Sequence, residues 1–171
     1  MTHPLFTIGY EGAAMADFLA TLAAAGVDHL IDVRDAPVSR RKGFSKNALA
    51  EALAEAGIGY THLKGLGNPK AGREAARAGD HARYRAILHA RLATSEGEVA
   101  LARAAALARI QTACLMCYER DPAHCHRMIV AHHLIDMTGQ TGRHLRVRAG
   151  LAAERTQNFD LFSPPPNQTG D

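Results

Sequence analysis

The sequence has few cysteines and no long apolar segment. Its three cysteines among 171 residues are an odd number without the regular spacing of a small disulfide-bonded domain. We therefore expect free thiols, metal ligands or core residues rather than a disulfide framework. No segment approaches the roughly 18 consecutive apolar residues that cross a bilayer, and residues 1–10 have no basic start followed by an apolar stretch. These absences predict a cytoplasmic protein without a membrane partner.

An excess of charge of one sign is also absent. The formal net charge is only +3, far below that of a dedicated DNA-binding module, although Arg40, Arg41 and Lys42 form a local basic cluster. The cluster is compatible with an anionic ligand and equally with a solvated loop. The Walker loop and the GxGxxG, GxSxG and HExxH patterns are missing, which excludes the nucleotide-binding, hydrolase and zinc-protease assignments that those motifs carry.

What is present favours one α/β domain over residues 1–150. Hydrophobic residues make up 47% of the chain, enough for one sizeable core. Short apolar runs alternate with helical periodicity, which predicts a single, mainly parallel sheet of about five strands with helices on both faces. Residues 65–79 contain four glycines and a proline, so we expect mostly a loop, with a short helical turn at 73–77. Residues 151–171 are expected to form a C-terminal extension that is partly disordered. The predicted strands are residues 5–9, 29–34, 58–63, 112–118 and 145–147.

The carboxyl ends of these strands carry the polar and reactive side chains. Tyr10, Arg34, His62 and Cys117 each stand at or just after the end of a predicted strand. Because the carboxyl ends of parallel strands share one edge of the sheet, where ligands bind in such folds, we expect these residues along one rim.

A helix is predicted to begin at Asp121 and Pro122, a residue pair that suits a helix start. Its free amides would face the rim and favour an anion. Arg127 falls on the apolar side of this helix. A buried guanidinium requires compensation, either from a bound anion or from a structural salt bridge to Asp32 or Glu119.

The cysteines of this region allow three interpretations. Cys117 lies at a strand end near the helix start, where a thiolate is favoured, so it is a candidate nucleophile or a plain core residue. Cys114 is expected to be core, because residues three apart on a strand point to opposite faces. Cys117, Cys125 and His126 are alternatively a structural zinc site, although the spacing matches such sites only weakly.

Residues 31–34, IDVR, place a charged pair inside an apolar run. Asp32 and Arg34 point the same way on a regular strand, so they either pair with each other and Arg127 or frame a ligand. Tyr60 and His62 share one side of the third strand, and His62 is either an acid or base or a structural group. Three further residues offer a hydroxyl and two guanidiniums to an anion: Ser39, Arg40 and Arg41.

The sequence resembles the domain of unknown function 488 (DUF488) family over most of the chain to about residue 147. The motifs that carry the resemblance are TIGYEG at residues 7–12, DVRDAPVSR at 32–40, Phe44, YTHLKGLG at 60–67 and CLMCYERDPAHCHR at 114–127. Glu11 departs from the serine that such families show at this place. The IDVR stretch is also similar to rhodanese-like domains, but their compact loop from cysteine to arginine does not match. The DUF488 resemblance implies one common site and no particular chemistry, with these members: Asp32, Arg34, Ser39, Arg40, Tyr60, His62, Cys117, Glu119, Cys125, His126 and Arg127.

The sequence therefore predicts an enzyme, a thiol-dependent transferase or hydrolase, that acts on a small anionic or nucleotide-like ligand and needs no cofactor. In this hypothesis Cys117 or Cys125 is the nucleophile or redox thiol. Protons are handled by Asp32, Glu119, His62 or His126. Arginines hold the anion together with Tyr10 and Tyr60. The alternatives are a nucleic-acid-binding module that grips phosphates with residues 40–42 and 65–79, and the structural zinc site. The oligomeric state is left open.

Overall fold

A computed structural model describes residues 2–160, with side chains to residue 157. Its centre is a five-stranded parallel sheet in the order β3-β2-β4-β1-β5. The strands are β1 (Leu5–Gly9), β2 (His29–Asp32), β3 (Gly59–His62), β4 (Ala113–Cys117) and β5 (Gly142–Leu145). The prediction of an α/β fold with a mainly parallel sheet of about five strands is confirmed.

Residues 2–160 contain seven α-helices and two short 3-10 turns, of which all but the last helix lie between strands. The helices are α1 (Met15–Ala24), α2 (Lys46–Glu55), α3 (Lys70–Arg77), α4 (His81–Leu92), α5 (Ser95–Ile110), α6 (Arg127–Thr138) and α7 (Leu151–Asp160). The 3-10 turns are Lys64–Leu66 and Pro122–His124. None of these helices combines the length and the apolar character that crossing a membrane requires.

The core has two halves because successive strand residues point to opposite faces of the sheet. Leu115 belongs to the half that α5 and α6 cover, whereas Cys114 and Met116 belong to the half that α1 and α2 cover. Cys114 is therefore core, as expected, and Cys117 points to the opposite face, toward α6. Helices thus cover both faces of the sheet, as the sequence predicts.

The segment 65–79 was expected to be mostly loop, and that prediction is wrong. It contains a 3-10 turn and the eight-residue helix α3, which begins after Pro69. Gly72, which weakens the helical signal in the sequence, packs closely against a neighbouring side chain: a Cβ at this position would lie 2.0 Å from Asn68 Oδ1, which would have to shift. Gly65 is packed in the same way, since its Cβ would lie 2.6 Å from the carbonyl oxygen of Glu96. This backbone is therefore not a free glycine loop for phosphates.

Two further boundaries differ from the prediction. The last strand is Gly142–Leu145 rather than 145–147, and its first three residues are exposed and carry no apolar signal. Residues 151–160, expected to begin the extension, form α7, whose first turn is tied to α1 because Asp17 accepts hydrogen bonds from the amides of Gly150 and Ala152 at 3.0 Å each. The proline run at 164–166 lies outside the described residues.

The His29 side chain links β2 to β3, and its burial leads us to expect that the folded protein loses stability in acid. Its Nε2 lies 2.9 Å from Thr61 Oγ1, and burial is the main cause that lowers the pKa of His29 below its usual 6.5. The unfolded chain then binds this proton more readily than the folded one, so stability is lost as the pH falls through about 6.5. We expect His29→Gln, which cannot titrate, to flatten the decline of unfolding free energy between pH 7 and 5 in urea titrations. An unchanged slope would contradict this role for His29.

Candidate functional site

An open cavity of about 720 Å³ lies at the carboxyl ends of β1, β2 and β4, and its volume is within the range of small-molecule sites. Eight of the residues proposed from the sequence line it: Tyr10, Arg34, Ser39, Arg40, Arg41, Cys117, Glu119 and His126. The lining holds four arginines and two carboxylates, Asp35 and Glu119, so positive charge is in excess.

The Asp32–Arg34 pair is the rigid floor of this cavity. Arg34 Nη2 lies 2.7 Å from Asp32 Oδ2 and its Nε lies 2.9 Å from Oδ1, with both side chains almost completely buried. The remaining guanidinium nitrogen donates to Tyr10 Oη at 3.1 Å and to the Phe44 carbonyl at 2.7 Å. Four of the five N–H donors of Arg34 are therefore bonded within the protein, and its charge is paired with that of Asp32.

Tyr60 and His62 support that floor from β3 and do not line the cavity. Tyr60 Oη donates to Asp32 Oδ2 at 2.6 Å, and His62 Nε2 lies 2.7 Å from the Arg34 carbonyl. Burial, together with the adjacent Asp32 carboxylate, raises the pKa of Tyr60, so its hydroxyl stays protonated and keeps this hydrogen bond. Of the two interpretations of His62, the structural one matches its position.

Cys117 lines the cavity wall beside an imidazole and a carboxylate. Its Sγ lies 3.6 Å from His126 Nδ1 and 3.3 Å from Glu119 Oε2. His126 Nε2 faces the Val33 carbonyl at 2.8 Å. Because a carbonyl only accepts, Nε2 bears the ring proton and Nδ1 of the neutral ring is free to take one from the thiol. The Cys117 thiol, the His126 imidazole and the Val33 carbonyl that orients the imidazole thus form one chain of contacts.

The groups around His126 raise its pKa. Burial is the largest single influence and lowers the pKa of His126, but contacts with Cys125, the Val33 carbonyl and the Glu119 carboxylate together raise it above the usual 6.5. A proton taken from a neighbouring thiol is therefore stabilised on this ring.

Cys125 lies behind Cys117 and does not line the cavity. Its Sγ is 4.0 Å from the same Nδ1 of His126, and burial raises the pKa of Cys125 well above that of an ordinary thiol. The two sulfurs and the imidazole nitrogen all lie within 4.8 Å of one another. The predicted meeting of Cys117, Cys125 and His126 is thus present in the fold.

The helix start at Asp121 was placed too early. Pro122–His124 is a 3-10 turn, and α6 begins only at Arg127. Asp121 Oδ1 accepts the Ala123 amide at 2.9 Å, so the protein's own carboxylate occupies the end that was expected to attract an anion. The local reason is that Asp121 and Pro122 suit the start of a 3-10 turn as well as that of an α-helix.

Arg127 is fully buried, as its place on the apolar side of the helix predicts, but it is outside the cavity. It forms neither the expected salt bridge to Asp32 nor one to Glu119. Its guanidinium instead donates to Thr7 Oγ1 at 3.2 Å, to the Glu119 carbonyl at 2.5 Å and to the Arg120 carbonyl at 3.4 Å. Arg127 thus holds the backbone that follows Cys117 rather than a ligand.

Seven lining residues were not proposed from the sequence: Gly12, Asp35, Ala36, Val38, Asn68, Arg73 and Tyr118. Arg73 donates to Asp35 Oδ2 at 3.2 Å and to the Asn68 carbonyl at 2.8 Å, while Tyr118 is half exposed at the entrance. Arg73 and Asn68 lie in residues 65–79, for which the sequence predicts mostly a loop, so neither is predicted as a site residue. The Asn-Pro pair before an alanine-containing run was the available sign of a helix start.

A family comparison matches residues 14–134 to the domain of unknown function DUF488. The chain belongs to the DUF488 family. The match includes Arg34, Cys117, Cys125 and His126, so both thiols and all the lining residues of the cavity except Tyr10 and Gly12 lie in the family domain of this DUF488 chain. Neither the curated proteins nor the solved structures contain a significant match.

Proposed function

We propose that this protein is a thiol-dependent enzyme, a transferase or hydrolase, that acts on a small anionic, nucleotide-like substrate. The observation that carries the proposal is the contact of Cys117 Sγ with His126 Nδ1, 3.6 Å apart at the wall of a cavity rich in arginine. His126 would take the thiol proton, and the Cys117 thiolate would attack the electrophilic atom of the substrate. Glu119, 3.3 Å from the sulfur, is placed to exchange protons with the leaving group.

The anion would be held by the exposed arginines. Arg40 and Arg41 have no carboxylate partner among the ion pairs of residues 2–157, and Arg73 faces the cavity from α3. Guanidiniums bind phosphate and carboxylate through paired N–H groups. Asn68 Oδ1 is buried without a hydrogen-bond partner in the described part of the chain, which supports a substrate that also carries an N–H or O–H group.

Limited alkylation tests the nucleophile. We expect iodoacetamide at neutral pH to label Cys117 before the other cysteines and faster than a cysteine in an unfolded peptide, as peptide mass mapping would measure. His126→Gln removes the base and should slow labelling by about 10- to 100-fold, whereas Cys114→Ala, buried on the other face of the sheet, should leave the rate unchanged. Equal rates in wild type and His126→Gln would exclude His126 as the base.

Zinc binding is a second candidate, supported by the grouping of Cys117, Cys125 and His126. Tetrahedral zinc with these ligands separates the ligand atoms by about 3.5 Å, close to the 3.6 Å between Cys117 Sγ and His126 Nδ1. Glu119 Oε2 stands near enough to be a fourth ligand. We expect elemental analysis of protein purified without chelator to find about one zinc per chain if this candidate holds, and a metal content near zero would exclude it.

A further inference from the structure

Cys125 is a buried thiol that has no role in a reaction in which Cys117 is the single nucleophile. It belongs to the same core half as Cys117, and its Sγ approaches both Cys117 Sγ and His126 Nδ1 within 4.8 Å. Of the three, Cys125 alone does not line the cavity. A substrate in the cavity therefore meets Cys117 first, and Cys125 can react only with what Cys117 has become.

We propose that Cys125 is a second reacting thiol, which resolves an adduct on Cys117, and that the cavity takes anionic disulfides as substrates. This inference rests on the nucleophilic Cys117 of the proposed function and adds to the same cavity a redox activity that is neither transfer nor hydrolysis.

The chain geometry allows the two sulfurs to join. Cys117 ends β4, and Cys125 follows the 3-10 turn Pro122–His124, so a short connection of mostly exposed residues separates them. A disulfide requires sulfurs about 2.05 Å apart. From a separation of at most 4.8 Å, the sulfurs need to approach by less than about 3 Å to form the bond.

The reaction balances without a further oxidant. The Cys117 thiolate attacks one sulfur of R–S–S–R and forms Cys117–S–S–R. The displaced R–S⁻ takes the proton held on His126 and leaves as the first R–SH. Cys125 then gives its proton to His126 Nδ1, 4.0 Å away, and its thiolate attacks Cys117 Sγ. The Cys117–Cys125 disulfide forms while R–S⁻ leaves with that proton as the second R–SH. The substrate is reduced by two electrons and the cysteine pair is oxidised by two.

Counting released thiols tests this inference. The probe is 5,5′-dithiobis(2-nitrobenzoate), a dianionic disulfide whose released thiol absorbs visible light, with metal-free full-length protein. Wild type and Cys114→Ala should each release about two equivalents, one per exchange step, and end two hydrogens lighter with a Cys117–Cys125 disulfide. Cys125→Ser and Cys125→Ala should release about one equivalent and retain a stable mixed disulfide on Cys117. Cys117→Ser should release almost none.

The outcomes separate this inference from the proposed function. If wild type stops at one equivalent with the adduct stable on Cys117, the role of Cys125 is overturned while a nucleophilic Cys117 stands. If no chain reacts, the proposed nucleophile and the resolving thiol both fail. Two equivalents from Cys125→Ser, with Cys114 modified, would also overturn the assignment, because the second thiol would then be Cys114.

Discussion

Gly9→Ala is expected to destabilise the protein by about 4 kcal/mol or more, the range of severe core disruption. Gly9 ends β1 beside Cys117, with which it is in register. A Cβ at this position would lie 1.8 Å from the Glu119 carbonyl oxygen and 2.5 Å from its carbon. Because the obstacle is backbone, the segment after Cys117 has to move. That carbonyl also accepts from Arg127, so the move removes a partner from a buried cation.

Urea unfolding and Cys117 labelling by iodoacetamide would measure both consequences of Gly9→Ala. Gly79→Ala is the matched control, because Gly79 has a φ of +73° and no atom within 4 Å of a built Cβ. Its cost should be only the conformational one, about 1 kcal/mol, with unchanged labelling. If Gly9→Ala unfolds within about 1 kcal/mol of wild type, the close passage of residues 119–120 over β1 does not exist.

Breaking the Asp32–Arg34 pair is the second large effect. Both side chains are almost fully buried and joined by two side-chain hydrogen bonds. Removal of one partner leaves an uncompensated charge in the interior, which costs about 3–5 kcal/mol. We therefore expect Asp32→Asn and Arg34→Met each to lose that much unfolding free energy, measured in urea, and the double variant to lose clearly less than their sum.

An exposed ion pair provides the comparison. Arg148 and Glu154 lie 2.6 Å apart with more than half of each side chain exposed, so Glu154→Gln should cost less than about 1 kcal/mol. If the single variants of the Asp32–Arg34 pair were as mild, or if their effects simply added, the pair would not be the rigid floor of the cavity.

The fold was predictable because the apolar runs of the central strands are strong local signals. Residues 5–9 and the apolar part of 112–118 are buried on both sides in a parallel sheet. The edge strand β5 was misplaced because its first residues are exposed. Helix α3 was not predicted because Gly72 weakens the helical pattern of its segment. Gly72 packs against Asn68, and local helix propensity carries no information about such a tertiary contact.

The meeting of the site residues was predictable for a topological reason. Parallel strands bring Tyr10, Arg34 and Cys117 to one edge whatever the details of the helices. The hydrogen-bond partners of each residue, and therefore its role, were not predictable. Arg127 and Arg34 have the same residue type, yet one holds backbone carbonyls and the other pairs with a carboxylate. That difference depends on which acceptors the folded backbone presents.

The proposed activity requires a thiol and a set of arginines to act in the same cavity. A pair of reagents that differ in charge but share a leaving group tests this directly: iodoacetate and iodoacetamide, compared at Cys117 by rate. We expect the iodoacetate-to-iodoacetamide ratio to exceed that of an unfolded cysteine peptide by about tenfold, because roughly 1.4 kcal/mol of attraction suffices, and to fall when Arg40 and Arg41 are both changed to Gln. A ratio equal to that of the peptide, unaffected by these changes, would contradict the account.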